Sequence, residues 1–183
     1  MKRLIITGLM RSGTGLLAKL LHDEGVNMGT VIGAPAIPHA DVEFEDPFLS
    51  TRLLYEDLTP RDVEVLFYSR SRALAQLHKI YGYQWKTMGF KSPFWLLHGE
   101  AIAKVPKKPF VIQMDRDETD RQRAMSRWMA GATEQTHRTF RNLDERLQQQ
   151  CIDVDMVIGF RQLETQPRKM LDQILRAIAT QAV

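Results

Sequence analysis

The chain has very little cysteine and no long apolar run. Cys151 is the single cysteine among 183 residues, which excludes an internal disulfide framework and a zinc site built on cysteine ligands. We therefore expect a reducing, cytoplasmic environment. No apolar run approaches the ~18 residues that a transmembrane helix needs. The first apolar run, at the N-terminus, ends after about six residues in a glycine-containing turn, which favours a core strand over a signal peptide.

The chain also lacks a strong charge of either sign. Lys and Arg number 25 against 22 Asp and Glu, which gives a net charge of +3 and a pI of about 9.1. This small basic excess suits anionic ligands, but it is too weak and too dispersed to indicate a nucleic-acid partner. Hydrophobic residues make up 44% and charged residues 26%, as in soluble globular proteins. The length favours a single domain over residues 1–183.

Short apolar strands alternate with helical patterns along the chain. This alternation predicts a three-layer α/β sandwich with a mostly parallel sheet, because parallel strands are joined by right-handed helical crossovers. Residues 27–41 have little periodicity and predict a long surface loop. The predicted strands are residues 4–8, 85–90, 110–114 and 156–160, and the predicted helical segments are residues 16–21, 48–58, 60–82, 95–105, 119–150 with a break near Gly131, and 170–178.

The turn after the first strand is the most informative segment. Residues 8–15 have the sequence GLMRSGTG and lead directly into a helix. A strand, a glycine turn and a helix N-terminus together direct backbone N–H groups and the positive end of the helix dipole toward one place, which suits a phosphate or sulfate. Gly13 permits close backbone approach, Thr14 offers a hydroxyl and Arg11 supplies a forked cation. The alternative is a strand–helix turn that needs glycine for its geometry alone.

Two groups of a nucleoside-triphosphate loop are absent from this segment. That loop has the pattern G-x-x-x-x-G-K-[ST], and Gly8 and Gly13 match its glycines. Thr14 replaces the lysine, and Gly15 replaces the Ser or Thr that holds magnesium. A kinase or ATPase would therefore lack two of its working groups, although Asp115 at a strand end could imitate a magnesium-holding acid.

The segment resembles instead the 5′-phosphosulfate loop of sulfotransferases that use 3′-phosphoadenosine 5′-phosphosulfate (PAPS), which commonly has the pattern G-x-x-[KR]-[ST]-G-T-[ST]-x-L. Gly15 departs from that pattern, since the family usually has Ser or Thr there. Further elements similar to those of the family follow in the same order along most of the chain. The matching residues are Gly8, Arg11, Ser12, Gly13, Thr14, Leu16 and Leu17, then residues 44–46 (FED), 89–93 (GFKSP), 110–116 (FVIQMDR) and 160–167 (FRQLETQP).

The resemblance implies a P-loop-like fold and specific roles for matched residues. It implies that residues 12–15 and Arg11 bind the 5′-phosphosulfate, with Arg11 on the bridging oxygen and Lys91 as a second cation near the sulfuryl group. It implies that Arg116 reads the cofactor's 3′-phosphate. The family's serine follows that arginine by about eight residues, whereas here position 124 is alanine and Ser126, the remaining candidate, lies two positions later. Two helical positions correspond to a rotation of ~200°, so either the loop before this helix is longer than in the family or Ser126 does not bind the phosphate.

A general base for the acceptor hydroxyl is the other expected group. The resemblance points to Glu45, and a carboxylate near Arg11 would stay ionised and able to take a proton. Glu43 is an alternative, because neighbouring acids obscure the register, and His39 in the preceding loop is a further candidate. Sulfuryl transfer needs cations on the leaving group and a base but no metal, so no metal site is expected.

The sequence therefore predicts a PAPS-dependent sulfotransferase, a transferase that acts on a hydroxyl or amine of a small-molecule or glycan acceptor. Two alternatives remain open. One is a P-loop small-molecule kinase, and the other is a nucleotide-binding module of the same fold without turnover. The acceptor and the oligomeric state cannot be predicted from sequence, since acceptor pockets are built from variable loops.

Overall fold

A computed structural model describes residues 1–29, 47–82 and 84–180 of the chain. The described residues form four strands: β1 Lys2–Gly8, β2 Thr87–Lys91, β3 Phe110–Asp115 and β4 Met156–Gly159. They also form eight α-helices and one 3₁₀ helix. The α-helices are α1 Thr14–Asp23, α2 Pro47–Tyr55, α3 Pro60–Tyr81, α4 Gly99–Ala103, α5 Glu118–Trp128, α6 Glu134–Gln148, α7 Phe160–Thr165 and α8 Pro167–Thr180, and the 3₁₀ helix is Pro93–His98.

The strands form one parallel sheet in the order β2-β1-β3-β4. The central strand β1 is buried on both faces, because its side chains alternate between two separate cores. Leu4 and Ile6 belong to the core on the side of α1 and α8, whereas Ile5 belongs to the core under α2 and α3. The structure confirms the predicted α/β class: a parallel sheet lies between two layers of helices.

A third, smaller core lies beside the loop after β1. Met10 of that loop packs with Met125 of α5 and Leu147 of α6. This cluster fixes the two helices that follow β3 against the carboxyl edge of the sheet. The same edge carries the ends of β1, β2 and β3, where ligands bind in open α/β sheets.

The helix boundaries follow local signals where such signals are present. α3 begins with a capping box, in which Thr59 accepts a hydrogen bond from the Asp62 backbone N–H and the Asp62 carboxylate accepts one from the Thr59 backbone N–H. It ends at Gly82, whose φ of 73° is the left-handed value that glycine tolerates. Both ends agree with the sequence prediction. However, Leu77 and Ile80 near its C-terminal end are 38% and 67% exposed, so the apolar residues of α3 extend past the core.

Several predicted boundaries need correction. The predicted strand 85–90 begins at Thr87 and continues to Lys91, and the predicted helix 95–105 is divided between the 3₁₀ helix and α4. The polar segment 119–150 is broken into α5 and α6, as predicted, with Gly131 at a φ of 85°. Phe160, predicted as a strand end, begins α7. Among the described residues, no helix combines the length and apolar character needed to cross a membrane.

Candidate functional site

The loop between β1 and α1 makes a tight turn at the carboxyl edge of the sheet. Arg11 and Gly13 both have positive φ, 63° and 101°, and α1 begins at Thr14. Leu17 donates the first helical hydrogen bond, to the Gly13 carbonyl at 3.2 Å. The N–H groups of residues 14–16 therefore have no partner within the helix, and the positive end of the helix dipole lies there.

The backbone N–H of Ser12 closes the turn of the loop, whereas it was expected to face an anion. It donates to the Leu9 carbonyl at 3.1 Å, so it is already engaged within the loop. The sequence predicted that this N–H would join those of residues 13–15 in facing an anion. The turn needs the bond because a buried backbone donor without a partner is costly.

The Ser12 side chain is the clearest unexplained polar group in the loop. The residue is 1% exposed, and its Oγ has no hydrogen-bond partner among the described residues. It lies against Gly8, where an added Cβ would come within 2.7 Å of that oxygen. A buried hydroxyl without a partner costs ~1–3 kcal/mol, so the loop holds an unsatisfied polar group beside Gly8.

Arg11 is a loop cation held at both its backbone and its side chain. Its carbonyl accepts a hydrogen bond from Arg116 Nη1 at 3.1 Å, and its guanidinium carbon lies 5.7 Å from the ring centroid of Trp128. The backbone of a non-glycine residue at positive φ is strained, and such strain persists where surrounding contacts maintain it. The two contacts supply that support.

Arg116, the predicted 3′-phosphate ligand, lies beside the same loop. It follows β3 by one residue, and its guanidinium stacks on the Phe160 ring at 4.1 Å. Its Nε atom is buried and has no partner among the described residues. The same Phe160 ring packs on Gly13, where an added Cβ would lie 2.9 Å from Cε2. Arg116, Phe160 and Gly13 thus form a continuous contact, which we call the loop brace.

Lys91 is the last residue of β2 and lies one strand away from the loop. It pairs in register with Ile6, two residues before Gly8, so the two side chains share the α1 side of the sheet. The residue is only 5% exposed. Next to it, Ser92 accepts a hydrogen bond from the Phe94 N–H and lies 3.2 Å from Ser50 Oγ. A cationic group is therefore placed at the predicted edge of the sheet.

The other predicted site residues fall into three groups. Thr14 is buried and Gly15 half-buried at the start of α1, in the predicted loop. Ser126 lies on the exposed face of α5, and it is two positions, or ~200° around the helix, from the Trp128 that contacts Arg11. Ser126 therefore lies on a different face of α5 from the one that contacts the loop. Glu45, Glu43 and His39 lie outside the described residues.

The arginines of α5 differ from one another in a way that the sequence did not show. Arg121, Arg123 and Arg127 form a basic run of the kind that usually faces solvent, but Arg121 is 1% exposed. It donates to Asp144 of α6 at 2.6 Å and, through Nε and Nη2, to Glu118 at 2.7–3.0 Å. Hydrogen bonds from Gln122 and Arg121 hold the pKa of Glu118 below its ordinary value of 4.5. This network fixes α5, and therefore Trp128, against α6.

Trp128 and Phe160 are the residues that sequence reasoning missed. Trp128 follows Arg11 by 117 positions, and its ring packs edge to face on Phe140 of α6 with centroids 4.8 Å apart. No local pattern signals a contact over such a separation. Phe160 lay within a segment matched to the family, and an aromatic residue at the end of a short predicted strand was the signal that could have identified it.

Comparisons with known proteins add little to this geometry. No protein-family model matches the chain, and no curated protein matches it in sequence. A similar solved structure is that of a sugar kinase from Janibacter sp. HTCC2649, determined without ligand. It has a TM-score of 0.43 and 16% sequence identity, over 98% of this chain and 95% of that one. A sugar kinase falls within the kinase alternative, but a likeness of this degree carries no argument about activity.

Proposed function

We propose that the β1–α1 loop binds the 5′-phosphosulfate of PAPS and that the protein is a sulfotransferase acting on a hydroxyl or amine of a small-molecule or glycan acceptor. The observation that carries the proposal is the buried Ser12 hydroxyl without a partner, next to Arg11 at a helix N-terminus. Helix N-termini with free N–H groups bind anionic oxygens, and Ser12 adds a hydroxyl within the same loop.

The residues present fit a phosphosulfate better than a magnesium-bound triphosphate. Thr14 stands where a triphosphate loop has its lysine, and Gly15 has no hydroxyl to hold magnesium. Arg11 supplies a planar, forked cation, which suits oxyanions. We therefore favour sulfuryl transfer over the phosphoryl transfer of a small-molecule kinase.

In the proposed mechanism the cofactor supplies an activated sulfuryl group and a phosphate leaving group. Arg11 and the N-terminal N–H groups of α1 would stabilise the negative charge that develops on the leaving oxygen. Lys91, at the neighbouring strand end, would be a second cation for the sulfuryl oxygens. Glu45 would take the proton of the acceptor hydroxyl, whose oxygen forms the new bond to sulfur as the bond to the phosphate oxygen breaks.

Calorimetric titration of the wild-type protein tests the nucleotide. We expect adenosine 3′,5′-bisphosphate to bind more tightly than ATP with magnesium. Tighter binding of ATP with magnesium would overturn the proposal in favour of a kinase. Incubation with PAPS and a panel of hydroxyl and amine acceptors then separates an enzyme from a binding module, because a module binds the nucleotide but transfers no sulfuryl group.

Arg116→Ala tests the proposed reading of the 3′-phosphate. The variant should lose more affinity for adenosine 3′,5′-bisphosphate than for adenosine 5′-phosphate, because only the former carries the 3′-phosphate. Equal losses would mean that Arg116 acts through its bond to the Arg11 carbonyl. Arg123→Ala is a matched control, since that side chain is 72% exposed on α5, and it should leave both affinities unchanged.

A further inference from the structure

The side chain of Arg11 is held by an aromatic platform that reaches the loop from a distant part of the chain. Its guanidinium lies over Trp128, the last residue of α5, at 5.7 Å from the ring centroid. We propose that Trp128 is a positioning residue that holds Arg11 in its anion-binding orientation. The proposal rests on the function proposed above and adds a residue to that site.

The platform is itself fixed by groups other than Arg11. The Trp128 ring packs on Phe140 at an interplanar angle of 83°, an edge-to-face arrangement that aromatic pairs favour. Trp128 also borders the small core of Met10, Leu96, Met125 and Leu147. The buried pair of Arg121 and Asp144 ties α5 to α6 at 2.6 Å. The ring therefore keeps its place whether or not an anion is bound.

The contact has a direct consequence for ligand binding. A long arginine side chain loses rotamer freedom when it binds an anion, and that loss weakens the complex. The face of a tryptophan ring attracts a guanidinium within ~6 Å, so part of the ordering precedes binding. Since Arg116 holds the Arg11 carbonyl at 3.1 Å, both ends of this residue are positioned before the ligand arrives.

A double-mutant cycle on affinity for adenosine 3′,5′-bisphosphate, measured by calorimetry, tests the proposal. Trp128→Leu keeps apolar bulk but removes the aromatic face, and we expect it to weaken binding roughly 2- to 5-fold. Trp128→Phe keeps a ring and should restore most of the affinity. In an Arg11→Met background, Trp128→Leu should have no further effect, because the tryptophan acts through the arginine.

Trp85→Leu is the matched control. Trp85 precedes β2 at the opposite end of the sheet and packs on the core under α2 and α3. This variant should leave the affinity unchanged. Equal affinity of wild type and Trp128→Leu would overturn the proposal while the proposed function stands. Losses from Trp128→Leu that are as large in the Arg11→Met background would also overturn it, because they would show a purely structural role.

The contact can also be tested without any nucleotide. The emission of Trp128 is obtained as the difference between the spectra of proteins with and without Trp128→Phe. Arg11→Met should change this emission in ligand-free protein, because it removes the cation from the ring face. Unchanged emission would overturn the contact. Failure of wild-type protein to bind adenosine 3′,5′-bisphosphate would refute the proposed function, and with it the role of Trp128 in binding, whatever the emission shows.

Discussion

Gly13→Ala is the substitution that most directly tests how the loop is built. Gly13 has a φ of 101°, and an added Cβ would meet the Phe160 ring, with Cε2 at 2.9 Å and Cδ2 closer still. The methyl group would therefore strain the backbone and displace the ring on which Arg116 stacks. Both costs arise at the loop brace.

The magnitude follows from these two terms. A residue with a Cβ in a left-handed conformation costs ~1–2 kcal/mol, and overpacking of a well-packed contact costs ~1–3 kcal/mol. We expect Gly13→Ala to lower the free energy of unfolding by ~2–5 kcal/mol. For a domain of this size, that corresponds to a decrease in Tm of roughly 5–15 °C.

Thermal unfolding followed by circular dichroism measures the effect, and Gly82→Ala is the matched control. Gly82 also has a positive φ, 73°, but an added Cβ would meet no atom within 4 Å. Gly82→Ala should therefore lower the free energy of unfolding only by the cost of the left-handed backbone, ~1–2 kcal/mol. The difference between the two variants isolates the collision with Phe160.

A second comparison removes the Phe160 ring. In a Phe160→Ala background the collision is absent, so Gly13→Ala should there cost no more than the backbone term. If Gly13→Ala is no more destabilising than Gly82→Ala, or if its cost is unchanged in the Phe160→Ala background, the loop does not pack on Phe160 as described.

Three further predictions concern α5 and the proposed base. Arg121→Met should lower the free energy of unfolding in urea by ~3–5 kcal/mol, because it leaves the Asp144 carboxylate buried without its charged partner. Arg121→Met with Asp144→Leu should recover most of that loss, and a single-variant loss below ~1 kcal/mol would contradict the argument. The lowered pKa of Glu118 means that its carboxylate stabilises the fold fully above its ordinary pKa of 4.5 and loses this effect as the pH falls through the lower folded-state pKa. The stability difference between wild type and Glu118→Gln, measured by urea denaturation across pH, should therefore vanish in acid, and a difference that persists at the lowest pH would refute the assignment. Glu45→Gln should reduce turnover roughly 10²–10⁴-fold with nearly unchanged affinity for the cofactor in calorimetry, and near-normal turnover would remove Glu45 from the mechanism.

Sequence alone was sufficient for features that depend on neighbouring residues. The order of β1, glycine turn and α1 could be predicted because apolar runs, glycine positions and helical spacing act within a few residues. The bounds of α3 could be predicted for the same reason, since Pro60 suits a first helical turn and Gly82 suits a left-handed end. The α/β class then follows from the alternation of such segments.

Only the tertiary structure decided which distant residues meet at the loop. Arg116 bonds to a carbonyl 105 positions earlier in the chain, and Trp128 comes to Arg11 because α5 packs beside the loop at the carboxyl edge. These contacts depend on the strand order β2-β1-β3-β4, which places β3 next to β1, and local patterns contain no information about which strands become neighbours. The burial of Arg121 was decided in the same way. An arginine in a basic run becomes a core residue only because the folded α6 brings the carboxylate of Asp144 to it.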